Sequence, residues 1–318
     1  MKYFNKILFL MCSTFGFSFV LQPRNHFFKH TINSYSNGYS NGQKESSVPL
    51  TNTKQCNCVF KKTYTQINDE NIDYFEIKNT VKKNTDAIIF FTGANSIIPS
   101  NIYSDFFTTL CSEKYSVYVA VNNIEVVEEL SEYLLNEYKS VSVVSHSTGA
   151  INAIDLCNLN HQIKKLILLD PVDNRFISKT FPFKKPKKKD LKLKFVDSVL
   201  FLNAKKSYTW SFKFPQFPFI PSFKIDKTNL ITPKKQFIEA QNFGHCDILN
   251  KQFSDIMHNT LSRGFTDRDT ELYSYYEWLS TIINTFLTKS NLEWDMKINS
   301  KIYNNVEYNI KNVTEYSN

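Results

Sequence analysis

The chain has 318 residues, 15% of them aromatic, with only seven glycines and ten prolines, so most of it can build a core of one α/β domain plus extensions. Its net charge of +8 is local: residues 1–50 hold five Lys/Arg against one Glu and residues 184–194 hold seven Lys against one Asp, which together exceed the whole excess. The body between them is close to neutral, and a nucleic-acid protein would carry a broader basic face, so no nucleic-acid partner is expected.

Residues 1–21 read as a signal sequence, with Lys2 and Lys6 ahead of an apolar run from Ile7 to Leu21 that is too short and too early to favour a stable membrane span. Residues 22–55 read as a transit-like or disordered linker, rich in Ser, Asn and Tyr and free of acids before Glu45. A signal followed by a basic, hydroxylated stretch resembles the bipartite presequence of proteins sent to a complex plastid through the secretory route; plain secretion or endomembrane residence is the alternative. The folded domain is expected over 56–290, with 291–318 an Asn-rich tail that receives no assignment. Six cysteines (Cys12, Cys56, Cys58, Cys111, Cys157 and Cys246) have no zinc spacing and read as mostly free thiols without a disulfide framework.

Within the domain, Val59–Gln66 and Ile72–Lys78 alternate as strands do. Asp86–Phe91 is a short apolar run suited to burial on both faces, and it ends at Thr92-Gly93-Ala94-Asn95. A helix follows over Ile102–Lys114, a strand over Val117–Val121 and a second amphipathic helix over Ile124–Tyr138. Val141–Ser145 is the next strand, and it runs into His146-Ser147-Thr148-Gly149-Ala150 and a helix over Gly149–Leu159. Lys165–Asp170 is a strand ending in a carboxylate, residues 174–196 an irregular lysine-rich insertion, and Ser198–Asn203 another buried strand. Residues 207–223 are dense in aromatics, and Pro215, Pro218 and Pro221 exclude a regular helix or central strand there. Phe237–Gln241 is the last core strand, Asn242–Asp247 follows it, and Glu271–Leu287 is a long amphipathic helix. No internal repeat is present. The pattern is that of an α/β fold of the α/β-hydrolase kind: a mostly parallel sheet flanked by helices.

The strand, Ser-His-Ser-Thr-Gly turn and helix have the layout of a nucleophile elbow, in which a serine is left exposed at a helix N-terminus. Taken alone, Ser147 is equally readable as an ordinary N-cap serine. A serine nucleophile needs a histidine to take its proton and a carboxylate to hold that histidine's tautomer. The hydrolase order of nucleophile, acid and base is met by Ser147, Asp170 and His245, each just beyond a predicted strand, where parallel strands bring their C-terminal ends to one edge. Asp173 competes with Asp170 for the acid. Of the six histidines, His26 and His30 lie in the presequence, His146 abuts the nucleophile, and His161 and His258 lie in or beside helix-like segments; only His245 follows a strand in the right order.

The segments Ser145-His146-Ser147-Thr148-Gly149-Ala150, Leu168-Leu169-Asp170-Pro171-Val172-Asp173 and Phe243-Gly244-His245-Cys246-Asp247-Ile248-Leu249 resemble the three signature segments of chlorophyllases, which read G-H-S-R-G-G, D-P-V and Y-G-H-M-D-M-L. The related platelet-activating-factor acetylhydrolases likewise carry their acid at the end of the strand after the nucleophile helix. The resemblance covers roughly residues 86–250. It implies hydrolysis of the phytyl ester of chlorophyll to chlorophyllide and phytol, with Ser147 as nucleophile, Asp170 as orienter and His245 as base. Ser145, Thr148, Ala150 and Thr92 stand where the family has Gly, Arg, Gly and His. Backbone N–H groups of Gly93, Ala94 and Thr148 are the expected oxyanion donors.

No cofactor and no metal is expected. The partner is a hydrophobic ester, chlorophyll or a lipid, in a pocket for which Trp210, Phe217 and Phe219 are candidates; satellite core packing is the alternative use of those aromatics. The lysines of 184–194 are candidates for membrane-surface contact on anionic lipid, with a solvated loop as the plainer reading. The functional alternatives are a lipid or acyl esterase of the same superfamily and a non-catalytic pigment- or lipid-binding protein on this fold.

Overall fold

Strands of five to seven residues, almost wholly buried on both faces, build the centre of the molecule in a computed structural model. The structure describes residues 58–67, 70–80, 84–93, 100–120, 124–173, 191–205, 207, 224–225, 230–232, 234–240, 243–251, 268–289 and 308–310. The leader and linker, Ala94, the lysines of 184–190 and the pocket candidates Trp210, Phe217 and Phe219 lie outside the described residues.

The strands are β1 (Cys58–Ile67), β2 (Glu70–Asn79), β3 (Asp86–Phe91), β4 (Tyr115–Ala120), β5 (Ser140–His146), β6 (Lys165–Leu169), β7 (Leu191–Lys192), β8 (Ser198–Ala204), β9 (Leu230–Ile231), β10 (Lys235–Ala240) and β11 (Tyr308–Ile310). The helices are α1 (Ser104–Glu113), led in by a 3-10 turn at Ser100–Tyr103, α2 (Ile124–Glu137), α3 (Gly149–Leu159) and α4 (Arg268–Thr288). The large sheet runs β1-β2-β4-β3-β5-β6-β8-β10-β11. The pairs from β4 to β10 are parallel, while β1–β2, β2–β4 and β10–β11 are antiparallel. That is the α/β-hydrolase arrangement expected from the sequence.

Side-chain alternation divides the interior in two. In β3, Ile88 and Phe90 join the core under α1 and α4, beside Phe106, Phe107, Leu110, Tyr276 and Ile283. Ala87, Ile89 and Phe91 join the opposite core under α2 and α3, beside Val127, Leu130, Leu134, Ala150 and Ile154. Each fully buried Leu, Ile or Phe contributes roughly 1.5–3 kcal/mol relative to exposure, so both helical layers are held to the sheet by apolar burial. Among the described residues no helix is long and apolar enough to cross a membrane.

Three expectations change. Leu191–Lys192, within the stretch read as irregular, forms β7 and pairs in parallel with β9; two residues are too few to carry a periodic signal. The unassigned tail supplies β11, which pairs with Ile238–Ala240 of β10. Cys58 and Cys111, read as free thiols, are joined in a disulfide that ties β1 to α1 with their Cα atoms 6.4 Å apart. The fold brings them together across 53 residues, a separation at which spacing carries no signal. Cys157 and Cys246 are buried and form no disulfide among the described residues.

Candidate active site

The C-terminal ends of β5, β6 and β10 lie at the same edge of the sheet, and each is followed by one polar side chain that turns to a common point. Ser147 comes directly after β5 with φ 56°, the left-handed region that costs an L-residue of its kind about 1–3 kcal/mol. Backbone bonds hold it there: its N–H donates to the Leu169 carbonyl (3.0 Å), and its own carbonyl accepts from Val172 (3.0 Å) and Ala150 (3.2 Å). The N-cap position of α3 is Thr148, without a side-chain cap bond. Ser147 is therefore not the N-cap serine of the alternative reading; its Oγ lies 2.8 Å from His245 Nε2.

Asp170 stands one residue past β6 with φ 45°. Its N–H donates to the Leu202 carbonyl of β8 at 2.8 Å, which fixes the turn against the neighbouring strand. Its Oδ2 meets His245 Nδ1 at 2.5 Å. Its Oδ1 accepts from the Ala204 N–H (3.1 Å), from Ser207 Oγ (2.9 Å) and from Lys224 Nζ (2.5 Å). The carboxylate is 3% exposed, so it must be compensated locally. Burial pushes its pKa up, but the Lys224 ammonium and the bond to His245 outweigh that and hold it well below the usual carboxylate range. The contact to His245 is thus made by Asp170; Asp173 lies three residues further on, also buried.

His245 sits in a turn that fastens to itself and to its surroundings. Gly244 donates its N–H to Asp247 Oδ2 (2.7 Å), Asn250 donates to the Ile102 carbonyl (2.6 Å), and Tyr276 Oη donates to the Leu249 carbonyl (2.5 Å). The tautomer follows from its partners. A carboxylate only accepts, so Nδ1 carries the proton and Nε2 is left to accept from the Ser147 hydroxyl.

A second histidine braces the first. His146 Nε2 donates to the carbonyl of His245 (3.0 Å), so its Nδ1 accepts from Tyr103 Oη (2.8 Å), whose oxygen accepts the N–H of Gly93 (3.0 Å). Burial, then the adjacent His245, depress the His146 pKa to about 3, so it is a neutral spacer. In this structure the Gly93 N–H, expected as an oxyanion donor, is donated to Tyr103; Gly93 also supplies room, since a Cβ there would lie 3.1 Å from Ser147 Cβ and 3.3 Å from His146 Nδ1. Ala94 lies outside the described residues, and Thr148 sits at the N-terminus of α3, where helix N–H groups and a partial positive charge gather.

Four participants were not anticipated from the sequence: Tyr103, Ser207 and Lys224, and the bracing part of His146. Only His146 carried a local sign, its place beside the nucleophile. Lys224 follows a run of aromatics and prolines, and nothing around it in sequence marks it as a neighbour of Asp170.

No family model matches the chain, and no curated protein matches it. Solved structures do match. The esterase domain of a Rhodothermus marinus protein aligns over 70% of this chain and 97% of its own length, at 10% identity and a TM-score of 0.44. A thermostable esterase from Pseudomonas putida aligns over 47% of this chain and 65% of its own, at 12% identity and a TM-score of 0.36. A hyperthermophilic esterase from Pyrobaculum calidifontis aligns over 46% and 67%, at 9% identity and a TM-score of 0.34. The chain thus spans about two thirds of the length of two of these structures.

Proposed function

We propose that the chain is a serine carboxylic-ester hydrolase. One observation carries the reading: an unbroken contact from Ser147 Oγ through His245 to Asp170, 2.8 and 2.5 Å long, on a strained turn at the carboxyl edge of the sheet. In the reaction, His245 Nε2 takes the Ser147 proton as Oγ attacks the ester carbonyl, and Asp170 stabilises the imidazolium that forms. The tetrahedral oxyanion develops at the N-terminus of α3, beside the N–H of Thr148. His245 then returns the proton to the departing alcohol, and a water, deprotonated by the same nitrogen, frees the acyl group. No step requires a cofactor.

The finer reading is a phytyl ester, with chlorophyll as first candidate. It rests on the likeness of the three signature segments to chlorophyllases and on the aromatic run before His245. A long apolar alcohol contributes roughly 0.8 kcal/mol per buried methylene, and binding energy remote from the carbonyl can be used to position it, so truncated esters should lose kcat as well as affinity. A plastid presequence, proposed from residues 1–44, would agree with such a substrate; a lipid ester is the second choice.

A fluorophosphonate probe should label Ser147, and Ser147→Ala should lose labelling and turnover, by on the order of 10⁶ in kcat, with the circular dichroism unchanged. Asp170→Asn should cost roughly 10⁴ and Asp173→Asn far less. Retained turnover in purified Ser147→Ala would sink the assignment. Chlorophyll, a phospholipid and a short nitrophenyl ester assayed side by side resolve the substrate. Cleavage of the short ester without any chlorophyllide would leave a general esterase.

A further inference from the structure

A triad carboxylate needs one oxygen for histidine and something to stop it turning about its last bond. Here that something includes a full positive charge. Lys224 is 4% exposed, and its Nζ reaches Asp170 Oδ1 at 2.5 Å and Ser207 Oγ at 2.8 Å. Its backbone is tied to the stretch just past Asp170: Val172 and Lys224 form an antiparallel bridge, and the Ile225 N–H donates to the Pro171 carbonyl at 3.0 Å. The lysine and the carboxylate therefore belong to one clamped unit. Among the described residues the outer donors, from Ala204, Ser207 and Lys224, fall on Oδ1, and His245 takes Oδ2.

Resting on the ester-hydrolase reading, we propose that Lys224 is a positioning residue for the triad, anchoring the outer oxygen of Asp170 so that the inner one stays aimed at His245.

The test uses the full chain with Lys224→Met, Lys224→Arg, Asp170→Asn and the double variant Lys224→Met/Asp170→Asn. Lys224→Met should lower kcat on a short nitrophenyl ester by about ten- to a hundredfold, as removal of outer-shell partners does elsewhere, with little change in KM. Lys224→Arg, which keeps the charge and a donor for Oδ1, should retain most of the wild-type kcat. In the Asp170→Asn background the same Lys224→Met change should cost about twofold or less, because its object is gone. An equal loss in both backgrounds would overturn the proposal. A readout independent of turnover is the far-downfield proton resonance of His245 Nδ1–H. Lys224→Met should shift or broaden it and Asp170→Asn should remove it. If wild type neither hydrolyses esters nor takes the probe but this resonance responds to Lys224→Met, the hydrolase reading fails while the positioning role stands; if it does not respond, the positioning role fails. Should Lys224→Met not fold, the Arg and double variants still decide.

Discussion

Ser147 and Asp170 are the two non-glycine residues with positive φ among those described, and they flank His245 in the site. Strain kept at two reacting positions has to be over-determined by the surroundings, and the backbone bonds between Ser147, Leu169, Val172 and Leu202 do that. Gly149 serves the same end by absence of a side chain. A Cβ there would stand 2.7 Å from the carbonyl oxygens of Phe91 and Thr92, both main-chain atoms that cannot swing aside. Gly149→Ala should therefore force the end of β3 away from the elbow. We expect a loss of about 1–3 kcal/mol in stability, read from denaturant midpoints, together with a fall in kcat because Gly93 and the elbow separate. The next residue, Ala150, does carry a side chain, which is buried in the α2/α3 core.

The β1–β2 hairpin is an edge element, and edge elements fray unless fastened. Here the fastening is the link from Cys58 on β1 to Cys111 on α1. That helix follows directly on Tyr103, which bridges Gly93 and His146, so the cross-link lies one element away from the site. Peptide mapping of unreduced protein after alkylation should recover Cys58 joined to Cys111 and find Cys157 and Cys246 alkylated as free thiols. Closing a loop of this length is typically worth about 2–4 kcal/mol, so reduction should lower the Tm; an unchanged Tm and unlinked peptides would remove the cross-link from the account. Disulfides persist in oxidising compartments, which agrees with the secretory route proposed from residues 1–21.

At the scale of the whole molecule, the site is embedded in the fold's own stability. His146 joins the β5 end, the Tyr103 turn and the His245 turn, and it is buried neutral with a pKa near 3. In the unfolded chain a histidine titrates near 6.5. Between those values the unfolded state binds more protons, so stability is fully present above about pH 6.5 and declines as pH falls toward 3, by at most about 1.4 kcal/mol per pH unit from this group. Tm measured from pH 7 to pH 4 should fall accordingly, and His146→Gln should flatten the slope while lowering Tm at pH 7. A slope unchanged by that substitution would assign the acid sensitivity to other groups.

The amino-acid sequence by itself determined the order of strands and helices, because doubly buried strands and amphipathic helices are written in local periodicity. It also singled out Ser147, Asp170 and His245, because parallel strands must bring their C-terminal ends to one edge. Contacts between distant segments leave no such local trace. The short β7–β9 pair, the β11 strand in the tail and the Cys58–Cys111 link were closed only by folding. The same holds for the polar shell. Whether Gly93 turns its N–H to an oxyanion or to Tyr103, and whether Asp170 is met by a lysine 54 residues away, depends on which side chains the packed interior leaves within reach. A buried carboxylate or N–H requires a partner, but only the tertiary structure determines which residue supplies it.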